Sequence, residues 1–270
     1  MRGRYAACVV TWATQRTAEI AHRAEIPIRV GQSSRLYSSL FTHRVDVRSE
    51  RGDVTTHWSQ ILLDYPRAIG CETSDTQPRF ELTPEDRKAA DRILRERDVR
   101  GPFGMVHPTC AISPKRPVWP LEGWIALVGE LQRRYQMPIL VSGAPDDVSI
   151  LEPLVRGTGA ISVAGATSVG AFAGLAQRAT FFIVMHSGPM HIAAAVGAPT
   201  LGVFPLQADF PDRWAPLGPH VGVSRASYPC RSGERMETCP DYACIAALAV
   251  PRVLASLDGL LRRRGEDHQR

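Results

Sequence analysis

Between residues 102 and 204, short apolar segments that suit buried strands alternate with segments of helical periodicity. The segments with strand character are, in chain order, Gly104–Pro108, Pro138–Gly143, Ala160–Ala164, Thr180–Met185 and Pro199–Phe204. Strands that are apolar throughout, rather than at every second position, are typical of a parallel sheet covered by helices on both faces. The sequence therefore predicts an α/β fold in which this part of the chain forms a complete Rossmann-like layer.

The segments between these strands carry helix signals. Trp119-Pro120 opens a helix with apolar side chains at helical spacing up to Tyr135, and a second helix is expected from about residue 146 to 155. Ser168 is placed to cap a helix that runs to Ala179, and His186–His191 leads into a short Ala-rich helix. This alternation of strands and helices is the order that βαβ units require.

The first hundred residues show fewer elements. Strands are predicted at Ala6–Thr11 and Ile26–Val30, and helices at residues 15–24, 57–69 and 83–96, the last with Thr83 as cap and Pro84 in its first turn. This pattern indicates part of a second α/β domain whose early βα units are absent from the sequence. We expect the boundary near Arg100-Gly101-Pro102, which gives domains of residues 1–100 and 101–270.

Composition narrows the class of protein. Hydrophobic residues make up 44% and charged residues 22% of the chain, as in soluble globular proteins. The apolar start of the chain is interrupted by Thr11, Thr14 and Gln15, which makes a poor signal peptide, and no apolar run is as long as a membrane span. The net charge is +5, but the arginines are spread along the chain. We therefore expect a cytoplasmic protein that does not bind nucleic acid.

The six cysteines are too few and too scattered for a disulfide-rich secreted protein. Cys230, Cys239 and Cys244 have the spacing C-x8-C-x4-C, and with His220 they form a set that is able to hold zinc. Because the spacing lacks a CxxC pair, free thiols are the preferred interpretation. Neither a metal nor another cofactor is expected.

The segment from Met185 to Pro199 is the most informative one for function. It passes from a strand into a helix, where free backbone N–H groups and the helix dipole attract an anion. Gly188 lets a ligand approach the backbone, Ser187 offers a hydroxyl, and His191 lies one turn further on. The alternative is an ordinary strand-to-helix turn with a capping serine, and the spacing alone does not decide between the two.

Several segments resemble motifs of one enzyme family. They are Ser187–Pro199, Trp119-Pro120, His107–Thr109, Cys239–Cys244, Ile26–Gly31 and Thr55–Trp58. Together they resemble glycosyltransferase family 9, the heptosyltransferases, which are inverting enzymes of lipopolysaccharide core synthesis with a GT-B fold. The resemblance implies a GT-B-like protein that transfers a heptose or related sugar from an ADP-sugar to a lipopolysaccharide or other glycan acceptor. It also implies that the protein works in the cytoplasm, in peripheral contact with the inner membrane.

The resemblance also implies roles for individual residues. Residues 1–100 would be part of the acceptor-side domain. The second domain, residues 101–270, would hold the nucleotide-sugar donor, with Ser187, Gly188, His191 and the Thr109 hydroxyl near the diphosphate. Lys115 or Arg116 would neutralise the charge of the diphosphate.

The acidic residues after the second strand of this domain have a further implied role. By the same resemblance Asp146 or Asp147 would accept hydrogen bonds from ribose hydroxyls, since one carboxylate can take both. A helix-capping aspartate is the alternative for this pair.

Two departures from the family pattern affect the expected function. His186 stands beside the donor site where the family usually has Asp, so its protonation would favour diphosphate binding unless the ring faces away and only fills space. The Gly-rich first βα turn of the family, with the nearby Asp thought to act as general base, has no counterpart here, so no catalytic residue is named. The alternative function is therefore an impaired nucleotide-sugar-binding protein or fragment; another GT-B enzyme such as an epimerase is less favoured.

The remaining acidic and histidine candidates carry less weight. His57 is placed either at an acceptor cleft or on a solvated helix start. Asp64, Asp86 and Asp91 have the spacing of a solvent-facing helix side, so they are interpreted as surface charges.

Overall fold

A computed structural model describes residues 4–110, 118–206, 210–228, 239 and 241–267 of the chain. By their contacts these residues form two compact units. The first contains the chain up to Thr76 together with Asp212–Trp214, and the second contains Gln77–Pro211 and the chain from Ala215 onward. Within the described residues no helix combines the length and the apolar composition that crossing a bilayer requires.

The first unit is a parallel three-stranded sheet with flanking helices. Its elements are β1 (Ala7–Val10), α1 (Gln15–Arg23), β2 (Ile28–Gln32), a 3-10 turn (Leu36–Leu40), β3 (His43–Val45), a second 3-10 turn (Arg48–Arg51) and α2 (Trp58–Arg67). The strand order is β1-β2-β3, with Val9 opposite Val30 and Val30 opposite His43. The two predicted strands are confirmed, and β3 is an addition.

Packing in the first unit centres on β2. Val30 is fully buried and lies in one cluster with Val45, Ile61 and Tyr65, so α2 covers one face of the sheet. Gly31 is required by close approach, because a Cβ at this position would lie 2.3 Å from the Phe41 ring. Because the three strands are parallel, the loops that follow β1, β2 and β3 all lie at the same edge of this sheet.

The second unit contains the rest of the regular structure. Its elements up to β8 are α3 (Pro84–Glu96), β4 (Gly104–His107), α4 (Leu121–Tyr135), β5 (Ile139–Val141), a 3-10 turn (Pro145–Asp147), α5 (Val148–Thr158), β6 (Ile161–Ser162), α6 (Val169–Arg178), β7 (Phe181–Met185), α7 (Gly188–Ala195) and β8 (Thr200–Phe204). The later elements are β9 (Val221–Arg225), α9 (Ala243–Ala246) and α10 (Val250–Asp267). Between β8 and β9 lies the short α8 (Pro211–Trp214), of which all but Pro211 belongs to the first unit.

All six strands of the second sheet are parallel, in the order β6-β5-β4-β7-β8-β9. The chain therefore starts in the middle of the sheet and moves outward first to one side and then to the other. This is the doubly wound Rossmann order, in which the crevice outside the carboxyl ends of the two central strands binds ligands. Here those strands are β4 and β7, and every residue of both is buried.

The predicted strands of this unit are all present, and β9 is an additional edge strand. Val221–Arg225 escaped prediction because only Ser224 is buried, so the segment lacks the apolar character of the central strands. The predicted Ser168 cap is present, since its hydroxyl accepts from the Ala171 N–H at 3.1 Å. Thr83 caps α3 in the same way, with Pro84 in the first turn as expected.

The division into units falls earlier in the chain than the sequence suggested. The expected boundary lay near Gly101, whereas by contacts the second unit starts at Gln77 and includes α3. The reason is the packing of α3 on α6, where a Cβ on Gly174 would lie 3.0 Å from Ala90. Helix α3 thus belongs to the second unit, although it precedes the first strand of that unit's sheet.

Candidate functional site

A cavity of about 490 Å³ opens at the carboxyl ends of β4, β5 and β7 in the second unit. Thr109 after β4, Gly143 after β5, and Ser187 and Gly188 after β7 all line it, together with the start of α6. The three loops named from the sequence thus meet at one place. Because β4 and β7 are the strands at which the winding direction changes, the cavity lies where doubly wound sheets bind ligands.

A buried hydrogen-bond network supports the floor of this cavity. The Ser142 hydroxyl donates to the Val106 carbonyl at 3.1 Å, and its oxygen lies 3.0 Å from His107 Nδ1. Since the serine hydrogen is used on the carbonyl, His107 donates from Nδ1, and its Nε2 is left as an acceptor. Nε2 lies 3.4 Å from the Thr109 hydroxyl oxygen. The imidazole is therefore held in one tautomer and orientation beside the cavity.

Burial keeps this imidazole uncharged. His107 is 9% exposed, and desolvation lowers its pKa to about 4, against the smaller opposing effect of the Asp147 carboxylate. The Phe172 ring packs edge-on against it, with 6.3 Å between ring centroids. At neutral pH the group presents a lone pair and an apolar ring to the cavity rather than a positive charge.

Asp147 is the carboxylate that reaches the cavity. Its Oδ2 accepts from the Thr109 hydroxyl at 2.7 Å and from the Ala144 N–H at 2.8 Å. Within the described residues its Oδ1 makes no hydrogen bond, so that atom remains available to a ligand. Gly143 makes this position accessible, because a Cβ there would lie 2.7 Å from Leu151 and 3.0 Å from the Asp147 Cβ. Asp146 is exposed and does not line the cavity, so the structure separates the two aspartates left open by the sequence.

The turn into α7 supplies backbone donors. Ser187 is the N-cap residue, but its hydroxyl donates to the Met185 carbonyl at 3.0 Å rather than capping the helix. Gly188 is exposed, and a Cβ on it would meet nothing within 4 Å, so a ligand has access to its N–H. The helix dipole adds partial positive charge at this end. His191 is half-buried on α7 and does not line the cavity.

His186 is not brought into the cavity. It is buried, and its ring stacks on Phe204 at 4.6 Å between centroids. Its carbonyl oxygen accepts from the Cys110 thiol at 3.3 Å. The His186 side chain does not line the cavity, and its stacking on Phe204 agrees with the packing alternative, in which the ring fills space behind the turn.

Some predicted residues lie outside the described part of the chain. Lys115 and Arg116 both do, and so does Cys230, the first member of the candidate zinc set. Cys244 is buried and Cys239 half-buried. Within the described residues, no cluster of three or more histidine, cysteine or acidic side chains is able to hold a metal ion.

The remaining polar candidates have structural partners. His57 caps α2, because its Nδ1 accepts from the Ser59 N–H at 3.2 Å. Asp64 is not a simple surface charge, since it pairs with Arg48 at 2.8 Å and with Arg67 at 3.2 Å. The other two predicted surface carboxylates, Asp86 and Asp91, respectively complete the α3 capping box and pair with Arg178.

Residues that sequence reasoning missed complete the wall of the cavity. Phe172, Val169 and Ile192 line one side, and Val169 is 59% exposed. In the sequence these apolar residues look like the buried face of an ordinary helix, so they did not indicate the wall of a cavity. His107 was named only within the His107–Thr109 segment and Ser142 only within a strand, because their contact depends on the pairing of β4 with β5.

Comparison with known proteins assigns the chain to a family. The model of glycosyltransferase family 9 (heptosyltransferase) matches residues 2–242 of the sequence. Lipopolysaccharide heptosyltransferase 3 of Escherichia coli (strain K12) is 25% identical over 173 residues, which is 63% of this chain and 48% of that protein. The chain thus spans about half the length of this curated relative.

Solved structures show the same fold. The glycosyl transferase family 9 protein from Veillonella parvula DSM 2008 superposes with a TM-score of 0.82 at 20% identity. The alignment covers 97% of this chain and 75% of that protein. E. coli ADP-heptose lps heptosyltransferase II has a TM-score of 0.75 at 17% identity, with coverages of 97% and 78%. These similarities confirm the predicted GT-B-like α/β fold class. The family match extends over both units described above, and the chain belongs to glycosyltransferase family 9, the heptosyltransferase family.

Proposed function

We propose that this protein transfers a heptose from an ADP-sugar to a lipopolysaccharide core acceptor, with inversion at the anomeric carbon. Family membership supports the sugar transfer, and the similar E. coli proteins are a lipopolysaccharide heptosyltransferase and an ADP-heptose lps heptosyltransferase. The observation that carries the donor assignment is the cavity at the ends of β4 and β7, where Thr109, Asp147 and Gly188 converge. The proposed acceptor implies work in the cytoplasm at the inner membrane.

The lining of the cavity suits the separate parts of an ADP group. Asp147 Oδ1 is placed to accept from the ribose hydroxyls, since its other oxygen is already occupied by Thr109 and Ala144. The apolar side formed by Val169, Phe172 and Ile192 fits the purine ring.

The diphosphate is assigned to the start of α7. The Gly188 N–H and the helix dipole attract its negative charge. Ser187 and Thr109 direct their hydroxyl hydrogens to the Met185 carbonyl and the Asp147 carboxylate, so each hydroxyl must rotate away from that acceptor to donate to the diphosphate. We assign neutralisation of the remaining charge to Lys115 or Arg116.

The reaction requires charge stabilisation and proton removal. The acceptor hydroxyl attacks the anomeric carbon opposite to the departing ADP, the bond to the β-phosphate oxygen breaks, and a base takes the hydroxyl proton. Negative charge grows on the leaving diphosphate, so the α7 N-terminus stabilises the transition state more than the ground state. We assign no residue to the base.

The two neighbouring aspartates provide a matched test. Asp147→Asn should weaken ADP binding by about tenfold, measured by titration calorimetry, because one carboxylate acceptor is lost. Asp146→Asn should bind ADP like the native protein, because Asp146 is exposed and lies outside the cavity lining. Equal effects of the two substitutions would contradict the assignment of the ribose site.

Transfer itself needs a separate assay. Incubation with ADP-heptose and a delipidated core oligosaccharide should yield free ADP and an oligosaccharide heavier by one heptose, as detected by mass spectrometry. ADP binding without this product would support the alternative, a nucleotide-sugar-binding protein that does not transfer. Absence of ADP binding would contradict both functions.

A further inference from the structure

One hydroxyl hydrogen at the cavity of the second unit lies between two acceptors. Thr109 carries a single hydroxyl hydrogen and donates it to Asp147 Oδ2 at 2.7 Å. The same hydroxyl oxygen lies 3.4 Å from Nε2 of His107. All three residues line the cavity. Because a hydroxyl rotates about its C–O bond, Thr109 is able to turn its hydrogen from the carboxylate to the imidazole.

The surroundings of His107 make its Nε2 an acceptor. Ser142 uses its hydroxyl hydrogen on the Val106 carbonyl at 3.1 Å, so the ring donates from Nδ1 to the Ser142 oxygen at 3.0 Å. A neutral imidazole has one N–H, and Nε2 therefore carries a lone pair. Burial lowers the pKa of His107 to about 4, which keeps the ring neutral at physiological pH. The imidazole is thus ready to accept the Thr109 hydrogen.

Asp147 is only half available to a ligand while Thr109 donates to it. Its Oδ2 accepts from the Thr109 hydroxyl and from the Ala144 N–H at 2.8 Å, which uses both lone pairs of that oxygen. A ribose presents two neighbouring hydroxyls, and a carboxylate binds such a pair most directly when each of its oxygens accepts from one hydroxyl. With Oδ2 occupied, one ribose hydroxyl lacks its acceptor.

We propose that His107 is a positioning residue for the ribose: its Nε2 accepts the Thr109 hydroxyl hydrogen when the nucleotide binds, and Asp147 then accepts one ribose hydroxyl on each oxygen. This inference rests on the proposed ADP donor. Thr109 exchanges one acceptor for another, and Asp147 exchanges a protein hydroxyl for a ligand hydroxyl, so no buried group loses its partner. The imidazole acts through Thr109 and has no need to touch the nucleotide.

The same step fixes the use of the Thr109 hydrogen in the complex. Because this hydrogen points at His107, Thr109 does not donate to the diphosphate. The diphosphate then depends on the Gly188 N–H, on the dipole of α7 and on the cations proposed for it. The role of His107 is therefore measured at the ribose.

The readout is the ratio of two dissociation constants, that of 2′,3′-dideoxy-ADP divided by that of ADP. We would obtain the first from calorimetric titration of ADP into protein that already holds the dideoxy nucleotide. Each hydrogen bond from a ribose hydroxyl to the carboxylate is worth about tenfold in affinity, so the native ratio should be about 100. Losses elsewhere in the cavity weaken both nucleotides alike and cancel in this ratio.

Two substitutions of His107 separate its two nitrogens. His107→Asn keeps a donor near Ser142 but has no atom at the position of Nε2, whereas the longer side chain of His107→Gln is able to place its amide oxygen there. The ratio should fall to about 10 in His107→Asn, because Thr109 then keeps its hydrogen on Asp147. It should stay within about threefold of the native ratio in His107→Gln.

Removal of the Thr109 hydroxyl tests whether His107 acts through it. Thr109→Val has no hydrogen to place on Asp147, so both carboxylate oxygens are open to the ribose and the ratio should stay near 100. Adding His107→Asn to Thr109→Val should leave that ratio unchanged, although the same substitution lowers it in the native background. A purely structural role of His107 would lower the ratio in both backgrounds or in neither.

Phe172→Leu is the control for lost packing. Its ring contacts His107 edge-on and lines the cavity but makes no hydrogen bond to it, so the variant should weaken both nucleotides and keep the native ratio. Each variant is measured well below its thermal unfolding midpoint.

The inference is overturned by a native ratio in His107→Asn, by a ratio in His107→Gln as low as in His107→Asn, or by a further fall when His107→Asn is added to Thr109→Val. These outcomes leave the donor proposal in place, since ADP still binds. Failure of the native protein to bind ADP would contradict the donor proposal and this inference together.

Discussion

The buried imidazole of His107 should make the stability of the protein depend on pH in the mildly acidic range. Its pKa is lowered by burial from 6.5 to about 4. The unfolded chain therefore takes up a proton on this group before the folded protein does, and acid favours unfolding. The stabilising effect of the neutral group is complete above about pH 6.5 and is lost progressively as the pH falls to about 4.

The size of the effect follows from the two pKa values. Each pH unit between them costs about 1.4 kcal/mol, so His107 alone removes about 3 kcal/mol from the free energy of unfolding between pH 6.5 and 4. In His107→Asn the amide keeps a donor near Ser142, but part of the ring packing on Phe172 is lost. We expect this variant to be less stable by about 1–2 kcal/mol at neutral pH.

The measurement is urea unfolding, followed by circular dichroism, at several pH values from about 7.5 to about 4.5. The stabilities of the native protein and His107→Asn should converge as the pH falls, because only the native protein has the buried histidine to protonate. His22→Asn is the control, since His22 is exposed on α1, and its curve should run parallel to that of the native protein. Parallel curves for His107→Asn would refute the assignment of a buried neutral imidazole.

Two further predictions concern the cavity of the second unit, which we propose binds the nucleotide. Gly188→Ala should leave the unfolding free energy unchanged or raise it by up to about 1 kcal/mol, because its methyl group meets nothing within 4 Å and alanine favours helix. The same methyl should weaken ADP binding by about tenfold by occupying space next to the backbone donor, and calorimetry showing native affinity would contradict a diphosphate at this turn. His186→Phe should keep ADP affinity within about twofold of the native protein between pH 7.5 and 5.5, since the ring stacks on Phe204; a change in the pH profile would mean that His186 does act on the nucleotide.

The second sheet was predictable because its strands are buried on both faces. Segments such as Phe181–Met185 are apolar throughout, and that pattern leaves few alternatives to a central parallel strand. β3 and β9 were missed for the opposite reason. In His43–Val45 only Val45 is buried, and in Val221–Arg225 only Ser224 is, so their strand character comes from pairing with a neighbour. Edge strands of this kind are determined by tertiary contacts rather than by local pattern.

The site, like the fold, was predictable only in part. Residues at strand ends could be assigned to one cavity, since parallel strands bring their carboxyl ends to one edge, and the structure does place Thr109 and Ser187 together. What the sequence could not give was the direction of each side chain at those ends. Asp146 and Asp147 are equivalent in sequence, yet only Asp147 is turned toward Thr109.

The direction of His186 has a consequence for how the family pattern applies to this chain. A histidine in place of the usual aspartate suggested an altered charge at the donor site, but a ring stacked on Phe204 leaves the cavity without a contribution from either charge. The carboxylate at the cavity is then Asp147, and the buried His107 beside it is neutral at physiological pH. Attraction of a diphosphate therefore depends on the Gly188 N–H, the α7 dipole and the cations proposed at Lys115 or Arg116. We therefore expect the residue at position 186 to act through its packing behind the turn and not through charge on a bound nucleotide.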